Sequence, residues 1–257
     1  MKSDRTVPVL LVSAAILFVL EIVRPDYTAD PVQNEILHVI FTRTAGGVLF
    51  LFLISASHTP VLRFRAPASP NGRAWFCLLP ALLIAVNNFP ILGLLTGSVR
   101  LNLSSADWIL LTAQSLAVGL FEELTFRAFL FPLVLQKFRG KNVFLPTVVS
   151  SAVFAAVHAV NLANGILPVL MQISYSFLIG GMCAVILLKT RCIWFCVLIH
   201  ALYNFGGTLV PTFGTGTVWD PVTVAVTAVL GFTVLLYFLH LLNSISMEEA
   251  ESILPPP

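Results

Sequence analysis

The chain has 257 residues, of which 58% are hydrophobic and only 10% charged, where a soluble domain carries roughly 25% charged residues. Its long uncharged runs exceed what one soluble core can hide, so a bilayer must cover them. Net charge is +2, and with no basic stripe or interleaved aromatic and basic residues a nucleic-acid partner is not expected.

A membrane span needs about 20 mostly apolar residues. In chain order the sequence offers eight: 7–23, 36–57, 74–95, 107–136, 142–163, 166–188, 192–209 and 218–242. The expected fold is therefore an all-α, polytopic membrane protein forming a single transmembrane domain over residues 1–257. Lys2 and Arg5 precede the first span, and Glu21-Ile22-Val23-Arg24-Pro25 follows it in place of a small-residue cleavage site, so a retained helix is expected rather than a cleaved signal. The fifth and sixth spans are divided only by Asn161, Asn164 and Gly165. Cys77, Cys183, Cys192 and Cys196 fall in or beside apolar stretches, which is not the pattern of a disulfide framework.

Orientation follows from the basic residues of the short loops. With the N-terminus inside, Lys2, Arg5, Arg63, Arg65, Arg73, Lys137, Arg139, Lys141, Lys189 and Arg191 are cytoplasmic, and only Arg24 and Arg100 are outside. The C-terminal tail, with Glu248, Glu249, Glu251 and Pro255-Pro256-Pro257, is then also cytoplasmic and reads as a short disordered end. No internal repeat marks duplicated transporter halves.

The fourth span contains Glu122, Glu123 and Arg127 near the middle of an apolar helix, each costing about 2.5 to 3.5 kcal/mol at the centre of a span. Glu123 and Arg127 are four apart in the favourable acid-then-base order and can neutralise one another. Such a pair is often purely a lock between helices, and both are assigned a supporting role. Glu122 points about 100° away from that pair and has no local partner. It must be protonated or meet a group from another helix. The fifth span supplies His158, and the seventh supplies His200 and Asn204 on one helix face. A lone membrane histidine is more often a packing residue. Together, however, a carboxylate, two imidazoles and an amide are the parts needed for proton transfer and carbonyl polarisation.

Other polar residues have plainer readings. Asn87 and Asn88 line a cavity or satisfy backbone groups freed by Pro90. Gln114 belongs to a polar seam with Glu122 or to an interhelical hydrogen bond. Cys192, Cys196, His200 and Asn204 form a ladder of fourth-residue steps, which admits a metal site through Cys196 and His200 beside the plainer reading of packing cysteines. His38, His58 and His240 have no comparable company, and nothing marks a nucleophile in Ser174-Tyr175-Ser176.

The run Glu122-Glu123-Leu124-Thr125-Phe126-Arg127, the run Phe154 to His158 and the run His200 to Asn204 together resemble the CAAX protease and bacteriocin-processing family, also called the Abi or type II CAAX prenyl endopeptidase family. Its Glu-Glu-x-x-x-Arg, Phe-x-x-x-His and His-x-x-x-Asn motifs stand here complete and in order, over roughly residues 107–209. The resemblance implies glutamate-dependent peptide hydrolysis inside the membrane. In that scheme Glu122, helped by His158, activates a water, while His200 and Asn204 bind the developing oxyanion. Arg127 and Glu123 hold the helix.

A metal-free site with no cofactor is expected, with zinc on His158, His200 and Glu122 as the alternative. The absence of a Gly-x-Ser-x-Gly pattern disfavours serine chemistry. The expected substrate is a membrane protein or lipidated peptide, cut near its membrane-embedded or lipid-linked end in CAAX-type or C-terminal sorting and maturation processing. The expected place is a bacterial or archaeal inner membrane. The competing readings are a membrane scaffold or bacteriocin-immunity-type protein, and a proton-coupled transporter using the same groups as a relay.

Overall fold

The computed structural model describes residues 12, 15, 16, 18–56, 59–63, 76–140 and 142–254, with the side chains of 163, 164, 167 and 168 also outside the described set. Most of the expected span 7–23, the residues Lys2, Arg5, His58, Arg65, Arg73 and Lys141, and the Pro255-Pro256-Pro257 end lie outside the described residues.

The described chain is nearly all helical. Helix α1 (Pro31–Ala56) is followed by α2 (Leu78–Asn87) and α3 (Ile91–Thr96), which Pro90 separates. A short strand β1 (Val99–Leu101) leads into α4 (Ser105–Glu123), which continues through a π-helical stretch (Leu124–Leu130) into α5 (Phe131–Lys137). Then come α6 (Phe144–Ala156), a 3-10 segment (Val157–Asn164), α7 (Ile166–Thr190), α8 (Ile193–Phe213), strand β2 (Gly214–Gly216), α9 (Pro221–Asn243) and α10 (Met247–Glu251). Gly165, with φ +105°, makes the break between α6 and α7 that Asn161, Asn164 and Gly165 announce in the sequence.

Among the described residues, six helical stretches are long and apolar enough to cross a membrane: Pro31–Ala56, Leu78–Thr96, Phe144–Leu162, Val169–Thr190, Ile193–Phe213 and Pro221–Asn243. Eight were expected. Of the other two, the 7–23 span lies mostly outside the described residues, and the 107–136 run is helical but diluted by Asp107, Gln114, Glu122 and Glu123. The exterior is apolar where lipid tails would lie, as Phe52 (72% exposed), Leu95 (80%) and Val229 (69%) illustrate. Surface of that kind is stable against hydrocarbon and not against water. The chain is an integral, multi-pass membrane protein.

Helix α7 is central, with Met182, Cys183 and Val185 to Leu188 wholly buried against Phe131 and Leu135 of α5 and Ile193 and Cys196 of α8. Helix α4 starts on a capping box in which Ser104 and Asp107 satisfy each other's backbone N–H. Strands β1 and β2 pair antiparallel, Arg100 opposite Thr215, and Asn102 N–H donates to the Phe213 carbonyl at 2.9 Å. This ribbon ties the start of α4 to the end of α8.

The C-terminal tail corrects the expectation of a disordered end. Ser246 caps α10, Glu249 pairs with Lys189 at 3.3 Å and Glu251 with Arg139 at 3.3 Å. Ala250 and Ile253 are wholly buried, with Leu254 close behind. Apolar residues interleaved with the acids give the segment a face to dock, and basic loops supply the countercharge.

Candidate active site

Helices α4 and α8 touch backbone to backbone. A Cβ on Gly119 would stand 2.9 Å from the Val197 carbonyl oxygen and 3.1 Å from the Ala201 nitrogen, so only glycine permits the approach. One turn further along α4 come Glu122 and Glu123, and then the helix widens into the seven-residue π stretch that carries Arg127. π turns are rare and recur at functional sites.

The crossing brings His200 between the two acids. Its Nδ1 lies 2.6 Å from Glu123 Oε1, and its Nε2 lies 3.4 Å from Glu122 Oε2. Glu122, expected to need a partner from another helix, has one. The carboxylates differ in access, since the Glu123 side chain is wholly buried and that of Glu122 is 20% exposed. Glu122 is therefore the acid a solvent molecule can reach.

Arg127 Nη1 lies 3.3 Å from Glu123 Oε1, both side chains buried, as the fourth-residue spacing requires. Neither Nη has an aligned hydrogen-bond acceptor. The guanidinium instead sits 3.9 Å above the ring centre of Phe154, whose face attracts a desolvated cation. His158 and His200 both meet that ring edge-on, at 5.2 and 5.8 Å. Phe154 thus joins the three sequence motifs around one aromatic floor. Gly180 of α7 completes the packing, because a Cβ there would lie 2.8 Å from Arg127 Nη2 and 3.1 Å from Phe154 Cδ1. Sequence reading gave no role to Phe154, Gly119 or Gly180. The only signal for the glycines is the known preference for small residues at membrane helix crossings.

His158 is half-buried, and its Nδ1 pairs with its own helix's Phe154 carbonyl at 3.0 Å. With the proton on Nδ1, Nε2 is a free acceptor. Among the described residues no hydrogen bond or ion pair joins His158 to Glu122; the two share the site through Phe154 and His200. Asn204, one turn beyond His200, keeps a buried Nδ2 with no partner. Asn88 Nδ2 donates to the Tyr203 carbonyl at 2.8 Å, and Asn87 Nδ2 to Thr227 Oγ1 at 2.9 Å, so both asparagines bind neighbouring helices. Gln114 Oε1 is buried without a partner, and Ser174 Oγ donates to its own helix at Leu170.

Zinc on His158, His200 and Glu122 does not fit. Among the described residues the ligand atoms of these three do not come together as a group, so they cannot close on one ion as they stand. The ladder reading through Cys196 and His200 fares no better, since among the described residues Cys196 groups with other side chains and not with His200. Among the described residues, the three-ligand group that does form is Glu123, Cys183 and Cys196, whose ligand atoms all lie within 4.8 Å of one another.

These motifs and their convergence can be set against known families. Residues 104–206 match the family model for type II CAAX prenyl endopeptidase Rce1-like proteins. This is the family that the three motifs resemble, and the matched segment runs from the cap of α4 to Gly206, two residues past Asn204. The Rce1-like match supports a peptidase of the CAAX type. Comparisons with curated proteins and with solved structures return no match.

Proposed function

We propose that the protein is an intramembrane endopeptidase in which Glu122 activates the attacking water. The observation that carries this reading is the bridge made by His200, which ties a buried, Arg127-paired Glu123 to a solvent-reachable Glu122. With His200 protonated, two carboxylates face two cations, and the cluster is neutral inside the membrane. Neutrality offsets the cost of placing four ionisable groups there.

In the proposed cycle a water enters beside Glu122, which takes one proton as its oxygen attacks the scissile carbonyl. The free Nε2 of His158 assists by accepting a hydrogen bond from the water's other O–H and so orienting it. As Glu122 is protonated and the carbonyl oxygen gains charge, His200 Nε2–H donates to the oxyanion instead, and the unpartnered Asn204 Nδ2 donates a second hydrogen bond. Protonated Glu122 then delivers its proton to the leaving amine. Glu123 and Arg127 keep the imidazole plane fixed throughout. No metal takes part in these steps.

The proposed substrate is a membrane protein or lipidated peptide cut near its membrane-embedded or lipid-linked end. Eight spans with both termini cytoplasmic, in a bacterial or archaeal inner membrane, is the topology we infer from the basic loops. Docking of the tail onto Lys189 and Arg139, two of those loop residues, supports placing them on one face. The test is mass spectrometry of C-terminal membrane peptides from cells carrying the wild type or Glu122→Gln. A peptide end that changes only with intact Glu122 is expected. Undiminished processing by the variant would refute the assigned base.

A further inference from the structure

Just behind the site, on the side of Glu123 away from solvent, three helices place soft ligands together. Cys183 of α7 and Cys196 of α8 are wholly buried, as is Glu123 of α4, and all three ligand atoms lie within 4.8 Å of one another. One oxygen of Glu123 is engaged by His200 and Arg127, while Oε2 has no well-aligned hydrogen bond and the Cys183 thiol is the donor beside the carboxylate. A buried carboxylate oxygen offered no better donor than a thiol is a costly arrangement in the absence of a ligand.

We propose that Glu123, Cys183 and Cys196 form a binding site for a thiophilic divalent cation of the zinc and cadmium class. Thiolate sulfur selects such ions over magnesium or calcium. Ligand atoms on a zinc-sized ion lie about 3.3 to 3.8 Å apart, so closure needs each pair of ligand atoms to approach by about 1.5 Å or less. Binding displaces both thiol protons to solvent as two metal–sulfur bonds form, with no change in oxidation state. Two thiolates and the carboxylate then oppose the cation and Arg127, and the group is neutral. That balance suits a site walled by hydrocarbon.

Capture of Glu123 would draw it from His200, so an occupied site inhibits whatever His200 does. The proposal concerns binding and does not rest on the peptidase reading. The experiment is a titration of the reduced, full-length protein in lipid nanodiscs with cadmium chloride, reading the ultraviolet thiolate-to-cadmium band and bound cadmium per chain. One cadmium per chain is expected, with the band lost in Cys183→Ser and in Cys196→Ser and retained when Cys77 and Cys192 are both replaced by serine. Cadmium should also raise the melting temperature of the wild type and not of the first two variants. Absence of a stoichiometric band in the wild type, or its survival in Cys183→Ser and Cys196→Ser, would overturn the assignment, and the wild-type titration decides even if serine disturbs packing.

Discussion

His200 Nδ1 meets Glu123 Oε1 at 2.6 Å, so the carboxylate that neutralises Arg127 also sets the plane of the imidazole facing Glu122. Two adjacent glutamates consequently differ in kind: one is built into the helix packing and the other borders solvent.

That difference is measurable. Glu123→Gln leaves Arg127 buried and unpaired, a loss of about 3–5 kcal/mol by the behaviour of broken buried pairs. Glu122→Gln should stay within about 1 kcal/mol of wild type, while its cleavage rate falls by about 10²- to 10⁴-fold or more. Unfolding in detergent followed by circular dichroism checks the first pair of values; equal destabilisation by the two variants would contradict the division.

Gly119 governs the distance between the acids and His200. A side chain there must displace the α8 backbone at Val197 and Ala201, so Gly119→Val should cost about 1–3 kcal/mol as overpacking. Cleavage should fall more steeply than stability, because His200 and Asn204 ride on α8. Parallel assays of unfolding and activity read both, and an active, stable Gly119→Val would deny the close crossing its role.

Much of this site is legible in the sequence because its motifs are local. Glu123 with Arg127, and His200 with Asn204, are four apart, and helical geometry alone puts each pair on one face. The registry between helices is not local. Nothing in the chain's order says that Gly119 lies against Val197, and so His200 could not be assigned to both glutamates. The ribbon was missed because Val99-Arg100-Leu101 and Gly214-Thr215-Gly216 are too short and too glycine-rich to carry an alternating pattern. The tail was misread because its acids outweighed Ile253 and Leu254, whose burial depends on grooves made by distant helices. The 107–136 span falls short for a physical reason too: the helix that carries Glu122 and Glu123 is among the least oil-like, and its polar groups are hidden by neighbours rather than by composition.

Asp220 offers an acid-side test outside the spans. Its carboxylate accepts from the Val222 and Thr223 backbone N–H groups and from the Thr223 hydroxyl, and these bonds, the hydroxyl's first, hold its pKa below the ordinary aspartate value. A folded pKa below the unfolded one contributes stability that is complete above the unfolded value, about 3.9, and is lost as pH falls through the folded value. Melting temperatures of wild type and Asp220→Asn should therefore converge as pH drops from 6 toward about 3. Parallel curves over that interval would show that the cap carries no proton linkage.

The docked tail predicts a graded response. Ile253→Ala removes a wholly buried side chain and should cost about 2 kcal/mol. High salt should weaken the partly exposed Lys189–Glu249 and Arg139–Glu251 pairs only slightly. Protease sensitivity of the C-terminus at low and high salt measures both, and a tail equally resistant in Ile253→Ala would show that the apolar anchor is dispensable.

The ribbon between Val99–Leu101 and Gly214–Gly216 makes tweezers of the two helices it joins: clasped at one tip by backbone bonds, touching again at Gly119 beside His200, with Glu122 and Glu123 just past that contact. The two helices are therefore pinned to each other at two separate points along their length, and the acids sit just past the second pin.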